Sequence, residues 1–182
     1  MALCFQGSQE DPDRYFMPNQ FSNPDNWRSH YETTGPEILA QTGGEVHAFV
    51  AGMGTCGTLM GVGRCLQEHD PSIQIVGAEP VVGHAIQGLK NMSESIVPEI
   101  YESDRLDRIV PVEDRPAFAM TERLALEEGL FVGMSSGGAV WAALQVAQDL
   151  DPGSTVVTLL PDRGDRYLST SVFRSVCAEC PP

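Results

Sequence analysis

The stretch HAFVAGMGTCGTLMGVGRCL, His47 to Leu66, constrains the fold more than any other segment of the chain. An apolar run, Glu45–Ala51, leads into Gly52-Met53-Gly54-Thr55-Cys56-Gly57, and a helical pattern follows from about Thr58 to Glu68. A strand, a glycine turn and a helix N-terminus in that order build an anion site. Backbone N–H groups and the positive end of the helix dipole converge there on one point. The spacing is a literal G-x-G-x-x-G, so the expected anion is the phosphate of a dinucleotide or that of some other cofactor.

The rest of the chain alternates in the same way. Tyr15–Phe21 reads as a short strand, and Asn23-Pro24-Asp25 opens a helix that runs to about Gln41 and stops at Gly43-Gly44. Ile73–Glu79 is a second strand, residues 81–98 a loop, Arg108–Val112 a third strand, and Pro116–Glu128 a helix ended by Gly129. Leu130–Val132 reads as a short strand before a second glycine-serine turn, Gly133–Gly138. Ala139–Leu150 then reads as a helix, Thr155–Leu160 as a β-branched strand, and the segment beyond Asp162 as one more helix. This alternation predicts one three-layer α-β-α domain with a mostly parallel sheet over residues 14–175. Residues 1–13 are expected to be a disordered extension and residues 176–182 a tail. Both glycine segments follow strands, and open α/β sheets bind ligands at that carboxyl edge.

Charge and cysteine usage narrow the partners. Eleven basic residues against 25 acidic ones give a formal charge of −14, the wrong sign for a nucleic-acid face. No segment approaches the roughly 18 apolar residues of a membrane span. The opening residues also lack the basic-then-apolar plan of a secretory signal. The cysteines (Cys4, Cys56, Cys65, Cys177, Cys180) are odd in number and scattered. Cys177-Ala-Glu-Cys180 has no second pair or nearby histidines to complete a zinc site. A reducing cytoplasm is the expected compartment. His30, His47, His69 and His84 form no shared constellation and are expected on helix surfaces or satisfied in the core.

Two readings of the glycine loop remain open on residues alone. A nucleotide site would use Gly52, Gly54 and Gly57, with Glu79 as the ribose-binding acid about twenty residues further on. Against it stand the second glycine segment and the lack of any hydride-transfer partner. Close helix–strand packing would also account for glycines at both places.

Four segments taken together carry a resemblance: QFSNPDNWRSHYETTGPEI, GTCGTLMGVGR, EEGLFVGMSSGGAV and DRGDRYLST. From Tyr15 to about Phe173 the chain resembles the C-terminal part of a cysteine synthase. The likeness is to the B branch (O-acetylserine sulfhydrylase) of the fold-type-II pyridoxal-phosphate enzymes. The resemblance implies that Gly54, Thr55, Cys56, Gly57 and Thr58 cradle the phosphate of pyridoxal phosphate, with Cys56 where several members carry a third glycine. It implies that Ser135 hydrogen-bonds the pyridine nitrogen; a hydroxyl there leaves the ring near neutral, which suits β-elimination. The same serine also suits a helix N-cap. Gln20 matches a residue that binds the substrate α-carboxylate, and Gly88 falls in a segment lining the substrate side. Asp162 falls near the expected ring position and equally suits an acidic loop.

The reaction so implied makes cysteine from O-acetylserine or O-phosphoserine and a sulfur donor, in a homodimer of the intact enzyme. In the family the Schiff-base lysine, an S/T-x-G-N-T-type substrate loop and an asparagine beside the cofactor belong to the N-terminal half. Here Lys90 is the one lysine, in a segment that does not match. The chain by itself is therefore expected to be no competent cysteine synthase. A truncated product, one half of a two-chain enzyme and a retained cofactor-binding or interaction module are the three readings of that departure.

Overall fold

The structure is a computed structural model and describes residue 7 and residues 10–173. Cys4, Cys177, Cys180, the tail at 176–182 and most of the predicted extension lie outside the described residues.

Four parallel strands form one sheet in the order β3-β2-β1-β4: β1 is Ala48–Gly52, β2 Gln74–Pro80, β3 Arg108–Val112 and β4 Val156–Thr158. Ala48 pairs with Gln74 on one side and with Val156 on the other. With a neighbour on each side, β1 is buried along nearly its whole length. Its side chains alternate between two cores, as the period of two requires. Phe49 and Ala51 point into one with Leu59, Met60 and Leu66, whereas Ala48 and Val50 point into the other with Met134, Ala142 and Val146.

Helices cover both faces, as an all-parallel sheet demands. The first face carries α1 (Asp25–Ser29), α2 (Gly35–Thr42) and α3 (Gly57–His69); the second carries α4 (Asp114–Glu127) and α5 (Met134–Gln148). Between α1 and α2 the chain makes a π-turn, His30–Thr34, in which the N–H of Gly35 reaches the carbonyl of His30. Pro36 has no N–H to give, so the ladder loses a bond at this point and the wider turn is tolerated. Gly43, at φ 64, ends α2 in the left-handed conformation.

α1 lies close on α3. A Cβ at Gly61 would collide with the carbonyl oxygen of Trp27 and sit 2.7 Å from His30 Cβ and 2.9 Å from the Tyr31 nitrogen. The Arg64 guanidinium stacks 4.2 Å from the centre of the Trp27 ring and fastens the two helices together.

Several elements differ from the sequence expectation. Tyr15–Phe21 forms no strand: among the described residues no strand pairs with it, Asn19 takes φ 42, and Phe16 is 87% exposed. Gly133–Gly138 is no turn, because α5 begins at Met134 and runs straight through it. Its glycines serve contact instead. A Cβ at Gly137 would collide with Thr121 Oγ1 and the Ala117 carbonyl of α4. Of Leu130–Val132 only Val132 pairs, in an isolated antiparallel bridge with Arg163. The expected last helix is two short 3₁₀ turns, Gly164–Tyr167 and Ser171–Phe173.

Gly61→Ala is expected to lower stability by about 1–3 kcal/mol, since backbone atoms must move to admit the methyl. A drop in the urea midpoint with an unchanged denaturant slope is the signature to look for.

Candidate functional site

The carboxyl ends of β1 and β4 and the N-termini of α3 and α5 meet at a cavity of about 210 Å³. Its wall includes Gly54, Thr55, Cys56, Gly57 and Thr58 from the loop into α3, and Gly88 from the loop after β2. Ser135 of α5 and Leu159 and Pro161, beyond β4, complete it.

The loop closes through Cys56, which takes φ 65 as the N-cap of α3 without offering a side-chain cap. The first intrahelical bond runs from the Met60 N–H to the Cys56 carbonyl. The amides of Gly57, Thr58 and Leu59 thus have no helical partner, and the dipole's positive end stands at the cavity. α5 also begins without a side-chain cap, at Gly133. Ser135, one residue into α5, is buried and lines the cavity, and the neighbouring Ser136 Oγ is buried without a partner. Gly88 holds φ 95, and a Cβ there would press to 3.2 Å from Ser135 Oγ. The two loops approach so closely because that position has no side chain.

Two side chains from the α1 segment steady the floor. Asn26 Nδ2 donates to Thr55 Oγ1 at 3.1 Å and to the Gln20 carbonyl at 2.7 Å. The Thr55 hydroxyl accepts that bond and keeps its own proton for a ligand. His30 Nε2 lies 3.2 Å from Thr58 Oγ1, and its Nδ1 lies 3.0 Å from Thr34 Oγ1. Burial lowers the His30 pKa below 6.5, so the ring is neutral near pH 7. The sequence pattern gives Asn26 no role and places His30 on a helix surface or satisfied in the core, whereas the structure gives each a partner in the loop. The available signal was their i, i+4 spacing, which puts two polar groups on one helix face.

The other candidates fall as follows. Gln20 is exposed, its side chain outside the cavity wall, beside a shallow groove formed by residues 17–21. Glu79 accepts the Met92 N–H at 2.7 Å and lies outside the cavity wall, so the four residues of the nucleotide reading do not converge. Burial pushes the Cys56 thiol up to about 12, which leaves it protonated and a poor nucleophile. Lys90 gives its backbone N–H to the Met53 carbonyl, and its ammonium lies 5.6 Å from the centre of the Phe21 ring, outside the cavity wall. Asp162 accepts the Tyr167 hydroxyl proton through one carboxylate oxygen, and its other oxygen is buried without a partner. Burial first, and then that bond, pushes the Tyr167 phenol up to about 12.

The donor set therefore suits an anion such as a phosphate: an amide cradle with two threonine side chains at one side and a buried serine at the other. Residues 5–162 match the sequence profile of the family described as pyridoxal-phosphate dependent enzyme. The chain belongs to that family. Within it, the chain is 48% identical over 155 residues to cysteine synthase B of Pseudomonas aeruginosa, covering 85% of this chain and 52% of the relative. It is 43% identical to the cysteine synthase of Aquifex aeolicus, covering 91% of this chain and 52% of that protein. Among solved structures, O-acetylserine sulfhydrylase isoform 3 from Entamoeba histolytica superposes with a TM-score of 0.87 at 36% identity, over 95% of this chain and 54% of that one. O-ureido-L-serine synthase superposes with a TM-score of 0.85 at 37% identity, over 93% and 56%. The fold is thus that of the fold-type-II enzymes, and the chain spans about half the length of the relatives it matches.

The lowered His30 pKa has a sign that can be checked. An unfolded chain takes up the proton near 6.5 and the folded one resists it, so stability is full above 6.5 and falls as pH drops below it. His30→Gln is expected to flatten that part of the curve when urea midpoints are compared at pH 7.5 and 5.5.

Proposed function

We infer that this chain is the cofactor-binding part of a cysteine synthase, with its domain over residues 14–175. The intact enzyme would be a cytoplasmic homodimer acting on O-acetylserine or O-phosphoserine and a sulfur donor. The observation that carries the reading is the convergence of the uncapped α3 amides, the Thr55 and Thr58 side chains and buried Ser135 on one cavity. Bound pyridoxal phosphate would supply an electron-withdrawing ring that makes the β-substituent of a serine-derived amino acid replaceable by sulfur.

Each residue has a separate task. The N–H groups of Gly57 and Thr58, with the Thr55 and Thr58 hydroxyls, hold the phosphate by charge-assisted hydrogen bonds. Asn26 and His30 fix the direction of those hydroxyls. Ser135 would donate to the ring nitrogen; a hydroxyl is too weak an acid to transfer its proton fully and would leave the ring close to neutral. Gly88, which has no side chain beside Ser135, would leave room there for the cofactor. Gln20 would reach an amino-acid carboxylate only by turning inward from its exposed position. Among the described residues no amine lines the cavity, so the chain alone would hold the cofactor without a covalent bond and would not turn over.

Titration with pyridoxal phosphate, followed by absorbance and fluorescence, tests this. Saturable binding is expected, weakened about tenfold by Thr58→Val, the order of one charge-assisted bond at roughly 1.4 kcal/mol. Borohydride treatment and peptide mapping should find no specific label at Lys90. Binding indifferent to Thr58→Val and to Ser135→Ala would place the cofactor elsewhere and sink the reading.

A further inference from the structure

Two helix N-termini open on the cavity, so an anion that enters it has two places to go. α3 presents the amides of Gly57, Thr58 and Leu59. α5 presents those of Met134 and Ser135, because its first turn bonds only from the Ser136 and Gly137 amides onward. Neither end carries a side-chain cap. By amides and dipole alone, the two ends would compete for one phosphate.

The acids beside them differ. At the α3 end Glu79 lies outside the cavity wall, its carboxylate accepting the Met92 N–H at 2.7 Å. At the α5 end a carboxylate stands against the N-cap itself. Asp162 follows Pro161 of the cavity wall, and its segment runs antiparallel to the residues that lead into α5. The Gly133 N–H donates to the Asp162 carbonyl at 3.2 Å, and the Gly164 N–H to the Phe131 carbonyl at 3.0 Å. The side chain then folds onto the helix end: a Cβ at Gly133 would collide with Asp162 Oδ1 and with the edge of the Tyr167 ring. Tyr167 gives its phenolic proton to Oδ2, while Oδ1, against Gly133, is buried without a partner among the described residues. The neighbouring cations do not neutralise it. Arg163 pairs with Asp165 at 3.1 Å, and Arg166 is exposed. A negative charge at a helix N-terminus is held there by the dipole. It also repels a second anion, and does so strongly where the local dielectric is low.

We propose that Asp162 assigns the two ends of the cavity: its charge closes the α5 end to anions, so a phosphate goes to the α3 end and Ser135 meets only an uncharged part of the ligand. Asp162 acts through the N-cap of α5 and lies outside the cavity wall, so it determines specificity without touching the ligand. The proposal rests on the reading of the cavity as a site for a phosphate-bearing cofactor. Its probe is inorganic phosphate, so the two can fail separately.

The test is a titration of the full chain with inorganic phosphate at pH 8, followed residue by residue through backbone amide chemical shifts. In the unaltered chain the Gly57 and Thr58 amides should shift and saturate, while those of Met134 and Ser135 respond at least tenfold more weakly. Asp162→Asn removes the charge and keeps the size. Phosphate should then bind the α5 end at least tenfold more tightly than before, with its affinity at Thr58 changed less than threefold. Tyr167→Phe removes the hydroxyl and leaves the charge, and should keep phosphate at the α3 end alone. Phosphate that shifts both ends alike in the unaltered chain overturns the proposal, and that result needs no variant to fold. So does a folded Asp162→Asn chain whose α5 end stays silent, or a Tyr167→Phe chain whose α5 end opens as fully as in Asp162→Asn. Pyridoxal phosphate is titrated alongside: its failure to bind while inorganic phosphate keeps to the α3 end counts against the cofactor reading and upholds the role of Asp162.

Discussion

The site depends first on how closely α1 lies against α3. That approach is possible because Gly57 and Gly61 present no side chains: a Cβ at Gly57 would collide with Asn26 Oδ1, and one at Gly61 with the Trp27 carbonyl. With α1 in place, Asn26 and His30 stand over the two threonines of the loop. With α1 displaced by even an ångström, the hydroxyls would lose their fixed direction and the amides alone would face the cavity. The Trp27–Arg64 stack and the missing amide of Pro36, which permits the π-turn at His30, belong to the same arrangement. Packing on one face of the sheet thereby sets the chemistry at its edge.

Parallel pairing does the rest. Four parallel strands put every strand's carboxyl end on one side, and α3, which follows β1, and α5, which follows the Val132 bridge, bring their N-termini to the cavity at that edge. Two such ends without side-chain caps, at Cys56 and Gly133, concentrate partial positive charge in a small volume. A formal charge of −14 spread over the surface does not cancel this, because a field set by oriented amides at short range is screened far less than one from solvated carboxylates. The cavity wall thus offers an anion oriented amides, with no lysine or arginine among its described residues.

What was legible in the sequence follows from this physics. β1, β2 and β3 declare themselves because buried parallel strands are short apolar runs bounded by breakers, and the glycine loop declares itself because its spacing is geometric. The second glycine segment misleads for a physical reason. Gly137 marks a helix–helix contact with Thr121 and Ala117, and a glycine kept for contact looks in sequence like a glycine kept for a turn. The expected strand at Tyr15–Phe21 fails because a strand exists only with a partner, and its apolar letters say nothing of one. Asn26 and His30 escape notice because their importance lies in residues 29 and 28 positions away, Thr55 and Thr58. The family resemblance supplies the cofactor, which no periodicity could.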